Sequence, residues 1–285
     1  MASWRKLGLI AGGGDLPILL ADHCAATGQD YFVARIEPFA SAKLETHPGV
    51  TLNLGEIGGR MQALKAAGVD AVVLIGQVPR PDLSQLKLDD RAQAMIPAFL
   101  AAAAEGDDAL LRLLLEEHER EGFKVLGAED VMVELLAPAG AWGSVAPSDA
   151  QRKDIAKAAK IAAAIGSFDV GQGVVVAGGV PLAVEAQEGT DAMLARVAGL
   201  PTTVRGTPEN RRGVLLKRPK PIQERRIDLP TVGPVTLDGV VVAGLAGIAV
   251  EAGGALAVRR DEMIAEADRL GVFLYGFTRA EVGEM

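Results

Sequence analysis

The sequence predicts an α/β protein, with a parallel sheet in its N-terminal domain and a distinct α/β C-terminal domain. Three observations carry this. Lys6 to Pro17 reads as a buried strand, a glycine turn and a helix start. Ala71 to Ile75 is fully apolar, as strands of parallel sheets are. Ala137 to Pro147 concentrates Pro, Gly and small residues, as linkers do. The expected division is 1–137 for the first domain, 138–148 for the linker and 149–285 for the second.

Taken in order, the first strand ends at the glycine turn Gly12-Gly13-Gly14, and Asp15 suits the N-cap of a helix with Pro17 in its first turn. The turn departs from the dinucleotide fingerprint, because Pro17 stands where the last glycine belongs. Asp15 also repels a pyrophosphate lying on that helix end. A sharp turn with close backbone packing and a phosphate-binding turn both remain open. Asp30 to Ile36 and Val50 to Leu54 read as strands, and Met61 to Ala67 as helical. After the strand at Ala71 to Ile75 comes Gly76-Gln77-Val78-Pro79-Arg80-Pro81. Ligands gather at the carboxyl ends of strands in open α/β sheets, so Gly12 to Asp15 and Gly76 to Arg80 are expected on one rim. Arg91 to Arg120 predicts two helices broken at Gly106. A strand at Lys124 to Gly127 and a short helix after Glu129 close this half.

Beyond the linker, Ser148 and Asp149 cap a helix running to about Ile165. Gly173 to Ala186 holds two strands around a Gly178-Gly179 turn. Ala192 to Val197 looks helical, and Thr190 or Asp191 is a natural N-cap. Alternatively, Glu188, Thr190 and Asp191 face a ligand from the helix start. Leu237 to Leu245 is expected to be helical, Gly247 to Glu251 a strand, Asp261 to Leu270 a helix and Val272 to Tyr275 the final strand.

Composition narrows the function classes. Hydrophobic residues make up 49% of the 285 positions and charged residues 23%, which describes a well-buried globular protein. Aromatics are only 4% and the net charge is −8, which argues against nucleic acid as a partner. The single Cys24 offers neither a disulfide framework nor a zinc cluster and suits a reducing cytoplasm. His23, His47 and His118 make no metal-ligand spacing. No signal peptide is read at the N-terminus, and the apolar stretch Val240 to Val250 is far short of the ~20 residues that span a bilayer.

Against this acidic background, Arg205 to Arg226 carries eight Lys or Arg residues and two acids. Pro219, Pro221 and Pro230 deny the surrounding segment a long helix, so the charges sit on kinked, extended backbone. Asp228 follows, between Ile227 and Leu229-Pro230. Two readings stand: a solvated basic loop with an ion-paired aspartate, or a phosphate site in which the carboxylate holds a metal or steers a water.

Several of these segments together resemble one family. They are Ile-Ala-Gly-Gly-Gly-Asp-Leu-Pro (10–17), Ile-Gly-Gln-Val-Pro-Arg-Pro (75–81), Glu-Gly-Thr-Asp-Ala-Met (188–193), Lys-Arg-Pro-Lys-Pro-Ile-Gln-Glu-Arg-Arg-Ile-Asp-Leu-Pro-Thr (217–231) and Gly-Leu-Ala-Gly-Ile-Ala-Val-Glu-Ala-Gly (244–253). The family is the UDP-2,3-diacylglucosamine pyrophosphatases of lipid A synthesis, in the form unrelated to calcineurin-like phosphoesterases. The resemblance implies hydrolysis to UMP and 2,3-diacylglucosamine 1-phosphate, with Mg²⁺ or Mn²⁺. It implies a Rossmann-like N-terminal domain, with the substrate held between the two domains. The essential aspartate falls on Asp228, which is also the expected metal ligand. Glu224 stands where relatives commonly have Asp, which leaves the role of that position open.

On this reading Lys217 and Lys220 shield the pyrophosphate, with Arg225 and Arg226 beside them. Gly12, Gly13, Gly14, Asp15, Gly76, Gln77, Glu188, Thr190 and Asp191 are the further substrate-binding candidates. The partners expected are a lipid-linked nucleotide sugar and the cytoplasmic membrane surface, met peripherally. A homodimer stays open. A nicotinamide-dependent oxidoreductase and a noncatalytic carrier of a nucleotide-linked lipid are the competing classes. Pro17 and the want of a clear acidic partner for a ribose weigh against the first.

Overall fold

The computed structural model describes residues 4–79, 86–226 and 228–284. Arg80, the last member of the expected rim, lies outside the described residues with Pro81, as does Ile227 beside Asp228. The chain divides into two compact units. The first comprises Met1–Val133 with Glu224–Asp228, and the second comprises Glu134–Gln223 with Leu229–Met285. The short stretch around Asp228 therefore groups with the N-terminal half, far from it in sequence.

In the first unit, strand β1 (Leu7–Ala11), helix α1 (Leu16–Thr27), β2 (Tyr31–Glu37), β3 (Gly49–Asn53), α2 (Ile57–Ala66) and β4 (Ala71–Ile75) follow one another. Helices α3 (Asp90–Glu105) and α4 (Asp107–Arg120), β5 (Lys124–Val125) and α5 (Ala128–Val131) complete it. The strands form a five-stranded sheet in the order β3-β2-β1-β4-β5, with every pair parallel. The order reverses between β1 and β4, which opens a crevice at their carboxyl ends. Leu7, Leu9, Val72 and Val73 are fully buried, because crossover helices cover parallel sheets. Ile10, Ile36, Met61, Leu64 and Leu115 share one core.

Several boundaries differ from expectation, most of all at α2 and β5, and the cap of α1 differs as well. Helix α2 begins at Ile57, ahead of Gly58 and Gly59, because the Asp89 carboxylate accepts from the Gly59 amide at 3.0 Å and holds that turn. Strand β5 pairs only at Lys124 and Val125 before the chain turns into α5. Asp15 occupies the N-cap position of α1 with backbone already helical, at φ −81° and ψ −26°, and its side chain makes no cap hydrogen bond.

His118 on α4 is 1% exposed, and its Nδ1 lies 2.7 Å from the Leu114 carbonyl. Burial pushes its pKa from 6.5 down to about 4; the Leu114 bond opposes the shift and Arg60 adds to it. The folded state therefore stays neutral where the unfolded chain takes up a proton. Stability is full above pH 6.5, falls as pH drops towards about 4, and levels off below. The total loss expected from this group is about 3 kcal/mol. Urea titrations from pH 7 to 4 should show that loss in the wild type relative to His118→Gln, and parallel curves would remove His118 as its source.

The second unit begins with β6 (Gly140–Ala141), α6 (Asp149–Gly166), β7 (Gly173–Ala177), β8 (Val180–Val184), α7 (Gly189–Ala198), α8 (Thr202–Arg205) and β9 (Val214–Lys217). After the excursion into the first unit come β10 (Thr231–Val232), α9 (Pro234–Val242), β11 (Gly247–Glu251), β12 (Leu256–Ala257), α10 (Arg260–Leu270) and β13 (Phe273–Phe277). A six-stranded mixed sheet runs β6-β13-β11-β9-β7-β8. Its strands β9, β11 and β13 are parallel, whereas β7 runs antiparallel to both β9 and β8.

Ser148 caps α6 with a capping box through Gln151, as the Ser148-Asp149 signal predicts. The β7–β8 hairpin turns at Gly178 and Gly179, both at positive φ, and their amides donate to Asp154 of α6 at 2.9 and 2.6 Å. Helix α9 begins at Pro234 and ends at Val242, earlier at both ends than expected. Proline suits the first helical turn, where a missing N–H costs nothing. Strand β13 is shifted the other way and continues to Phe277.

Candidate active site

The glycine turn after β1 meets the loop after β4, as the common rim requires. Gly13 and Gln77 form an antiparallel bridge, with N–H to carbonyl distances of 2.8 and 2.9 Å. The Gly12 amide donates to the Ile75 carbonyl at 2.8 Å. These bonds engage the amides of Gly12, Gly13 and Gln77, so a phosphate cannot use them. The glycines serve close approach instead. A Cβ on Gly12 would lie 2.7 Å from the Gln77 carbonyl, and one on Gly76 would lie 2.6 Å from both the Gly13 carbonyl and Pro17. Gly14 differs: it adopts φ +89° and a Cβ there would meet nothing within 4 Å, so it faces open space.

Glu224 and Arg226 are bonded to α4. The Glu224 amide donates to Asp108 at 2.7 Å, and Asp108 also pairs with Arg112 at 2.8 Å. Glu224 accepts two bonds from the Arg226 guanidinium, both at 3.0 Å, and Arg226 reaches Glu119 at 2.6 Å. Arg226 holds the Glu224 carboxyl below its usual range, with burial opposing. Position 224 thus clamps the backbone that leads to Asp228, and Arg226 has two carboxylate partners. Asp228 itself is half-buried.

Glu129, which the sequence reading did not single out, joins this unit at the start of α5. Burial raises its pKa, Asp130 adds to the rise and Arg225 opposes it. A raised carboxyl with an arginine acting on it is a feature of functional sites, but its only sequence signal was its place after a sheet strand.

Lys217 and Lys220 belong to the second unit. Lys217 ends β9, is 5% exposed, and its Nζ donates to the Thr231 carbonyl at 3.2 Å. Lys220 pairs with Asp169 at 2.5 Å, so its charge is already answered by a carboxylate. Arg218 between them is a core residue, taken up below. The basic stretch is therefore neither a uniformly solvated loop nor a uniform phosphate cradle.

At α7 the structure corrects the expected cap. Glu188 occupies the N-cap position, the helix begins at Gly189, and no side chain caps it. Thr190 instead donates its hydroxyl to the buried Glu185 at 2.6 Å, a competing partner that removes it from capping. Glu188 pairs with Arg196, and Asp191 is exposed in the first turn. Gly12 to Asp15, Gly76, Gln77, Arg225, Arg226 and Asp228 thus fall in one unit, and Lys217, Lys220, Glu188, Thr190 and Asp191 in the other.

These features define a two-part α/β protein, with a parallel sheet that reverses strand order beside a glycine rim and a second mixed sheet that carries basic residues at a strand end. Sequence models of the LpxI N-terminal domain and the LpxI C-terminal domain match residues 6–135 and 138–275, and the chain belongs to the LpxI family. A relative from Caulobacter vibrioides, UDP-2,3-diacylglucosamine pyrophosphatase LpxI, is 52% identical over 272 residues, which cover 95% of this chain and 97% of the relative.

Proposed function

We propose that this protein hydrolyses the pyrophosphate of UDP-2,3-diacylglucosamine, giving UMP and 2,3-diacylglucosamine 1-phosphate in lipid A biosynthesis. The observation that carries the reading is the 52% identity to a pyrophosphatase of that substrate, sustained across 95% of the chain. In the reaction the oxygen of water bonds to one phosphorus, the bridging P–O bond breaks, and the proton of water passes to a base. Asp228 is the carboxylate proposed to orient that water or receive its proton. Lys217, near the end of its strand, is proposed to stabilise the charge that develops on phosphate oxygens.

Among the described residues no group of three or more His, Cys, Asp or Glu side chains is placed to hold a metal ion. Mg²⁺ or Mn²⁺ needs only one or two protein carboxylates besides water and substrate phosphate, and Asp228 is the residue that would hold it. When bound there, the cation supplies charge neutralisation to the pyrophosphate. Turnover should vanish in excess chelator and return with Mg²⁺ or Mn²⁺, read as UMP released from the purified protein. Full activity in chelator would overturn the metal-dependent reading.

The two lysines should separate. Lys217→Ala is expected to lower kcat by about 10² with a smaller change in KM, as loss of a group serving developing charge does. Lys220→Ala should cost less, because Asp169 already answers its charge. Equal and wild-type rates for both would take the basic stretch out of the chemistry.

The alternatives have lost support. A nicotinamide cofactor needs amides at the glycine turn to receive its pyrophosphate, and those of Gly12 and Gly13 are engaged by Ile75 and Gln77. A carrier would bind the lipid without releasing UMP, so UMP release in the same assay would rule it out. No described helix is long and apolar enough to cross a membrane. Because its proposed substrate carries two acyl chains, we propose that the protein works at the cytoplasmic membrane face as a peripheral enzyme.

A further inference from the structure

Within the second unit, α6 exposes Lys153, Lys157 and Lys160, which recur at i, i+4 and i+7 and so line one face of the helix. Asp154, the acid within that run, is turned inward and bonded to the Gly178 and Gly179 amides. Asp149, exposed four residues before Lys153, adds one negative charge to this face. Of the acids on neighbouring segments, Glu281 pairs with Arg152, and Glu284 with Arg218, although Lys160 also acts on Glu284. The face is basic in a chain whose net charge is −8.

Directly beyond the helix, Phe168 is 82% exposed and Val170 42% exposed. Ile222, also 42% exposed, stands on the neighbouring loop. The two loops are held together. Lys220 pairs with Asp169 at 2.5 Å, and a Cβ on Gly166 would lie 3.1 Å from Pro221. Asp169, three residues past the end of α6, adopts φ 58° and turns the chain between the two apolar side chains.

We propose that this tip docks on an anionic lipid surface, with Phe168, Val170 and Ile222 entering the interface and Lys153, Lys157 and Lys160 meeting the headgroups. Charge complementarity selects the occupant: a basic stripe leading to outward apolar side chains is what a negatively charged bilayer attracts. The role suits a diacylated substrate and in that respect rests on the function proposed above; the surface itself is tested separately.

The test is flotation of the full-length protein with vesicles of phosphatidylglycerol and phosphatidylcholine, against vesicles of phosphatidylcholine alone, together with turnover of detergent-dispersed substrate. The wild type should favour the anionic vesicles. A Phe168→Ser, Ile222→Ser variant should partition about tenfold less. Lys153→Gln with Lys160→Gln should cost about fivefold per charge on anionic vesicles only. Neither variant should alter turnover in detergent. Unchanged partition in either variant overturns the proposal. A shift in sedimentation mass would assign the patch to a second copy of the chain, and altered turnover in detergent would assign it to the substrate site; both also overturn it. If the wild type lacks turnover while the vesicle pattern holds, the surface stands and the proposed reaction fails.

Discussion

Asp228→Ala should lose about 10² to 10⁴ in turnover, the range for a positioned acid or base, and more if a metal leaves with it. Asp228 is half-buried, and Glu224 and Arg226 shortly before it are fixed on α4 through Asp108 and Glu119. That anchoring makes a loss of position from the substitution itself a small effect. Binding should survive, since removing a negative charge beside a pyrophosphate relieves repulsion. The variant is thus expected to retain uncleaved substrate, visible by native mass spectrometry, while releasing little UMP. Asp228→Asn should behave alike, because it keeps the shape and loses the charge. Near-normal turnover in a folded variant would remove Asp228 from the mechanism.

Arg218→Met should destabilise the second unit by about 3 to 5 kcal/mol, the cost of leaving the buried Glu251 carboxylate without this cation and the half-buried Glu284 unpaired. Arg218 is 4% exposed. Its guanidinium makes two bonds to Glu284, at 2.7 and 2.8 Å, and lies 2.9 Å from the buried Glu251. It also donates to the Ala159 carbonyl at 3.2 Å and sits over the Phe277 ring. One side chain therefore ties the end of β9 to α6, β11 and the C-terminal Glu284. The two tryptophans, Trp4 and Trp142, lie in different units. Urea unfolding in a Trp4→Phe background lets Trp142 report on the second unit alone. A loss below about 1 kcal/mol would mean that Arg279, which also pairs with Glu251 at 3.1 Å, suffices by itself.

Several strands of both sheets were legible because a buried parallel strand is a short, nearly unbroken apolar run. Leu7–Ala11, Ala71–Ile75 and Gly247–Glu251 lie where such runs place them. Strand β9 (Val214–Lys217), by contrast, was hidden by the prolines and charges that follow it and was read as loop, and β6 fell in the expected linker. Helix ends were less legible where a distant group decides them. Gly58 and Gly59 look like breakers until Asp89 arrives from beyond β4, and Thr190 looks like a cap until Glu185 takes its hydroxyl. In each case the partner is a side chain that local spacing does not specify.

By itself the sequence determined the α/β class, the parallel first sheet, the meeting of the glycine turn with Gln77, and the segment that carries Asp228. Each depends on residue type along a few neighbouring positions. Only the tertiary structure decided which charges in that segment are available for chemistry. Arg218, Lys217 and Lys220 stand within four positions of one another, yet one is locked between carboxylates, one bonds a carbonyl and one pairs with Asp169. The same holds for Glu224 to Asp228, which group with the N-terminal half through Asp108 and Glu119 of α4. Charge and proline content set what a segment can do, but its partners come from chain 14 to 116 residues away, and only folding brings them together.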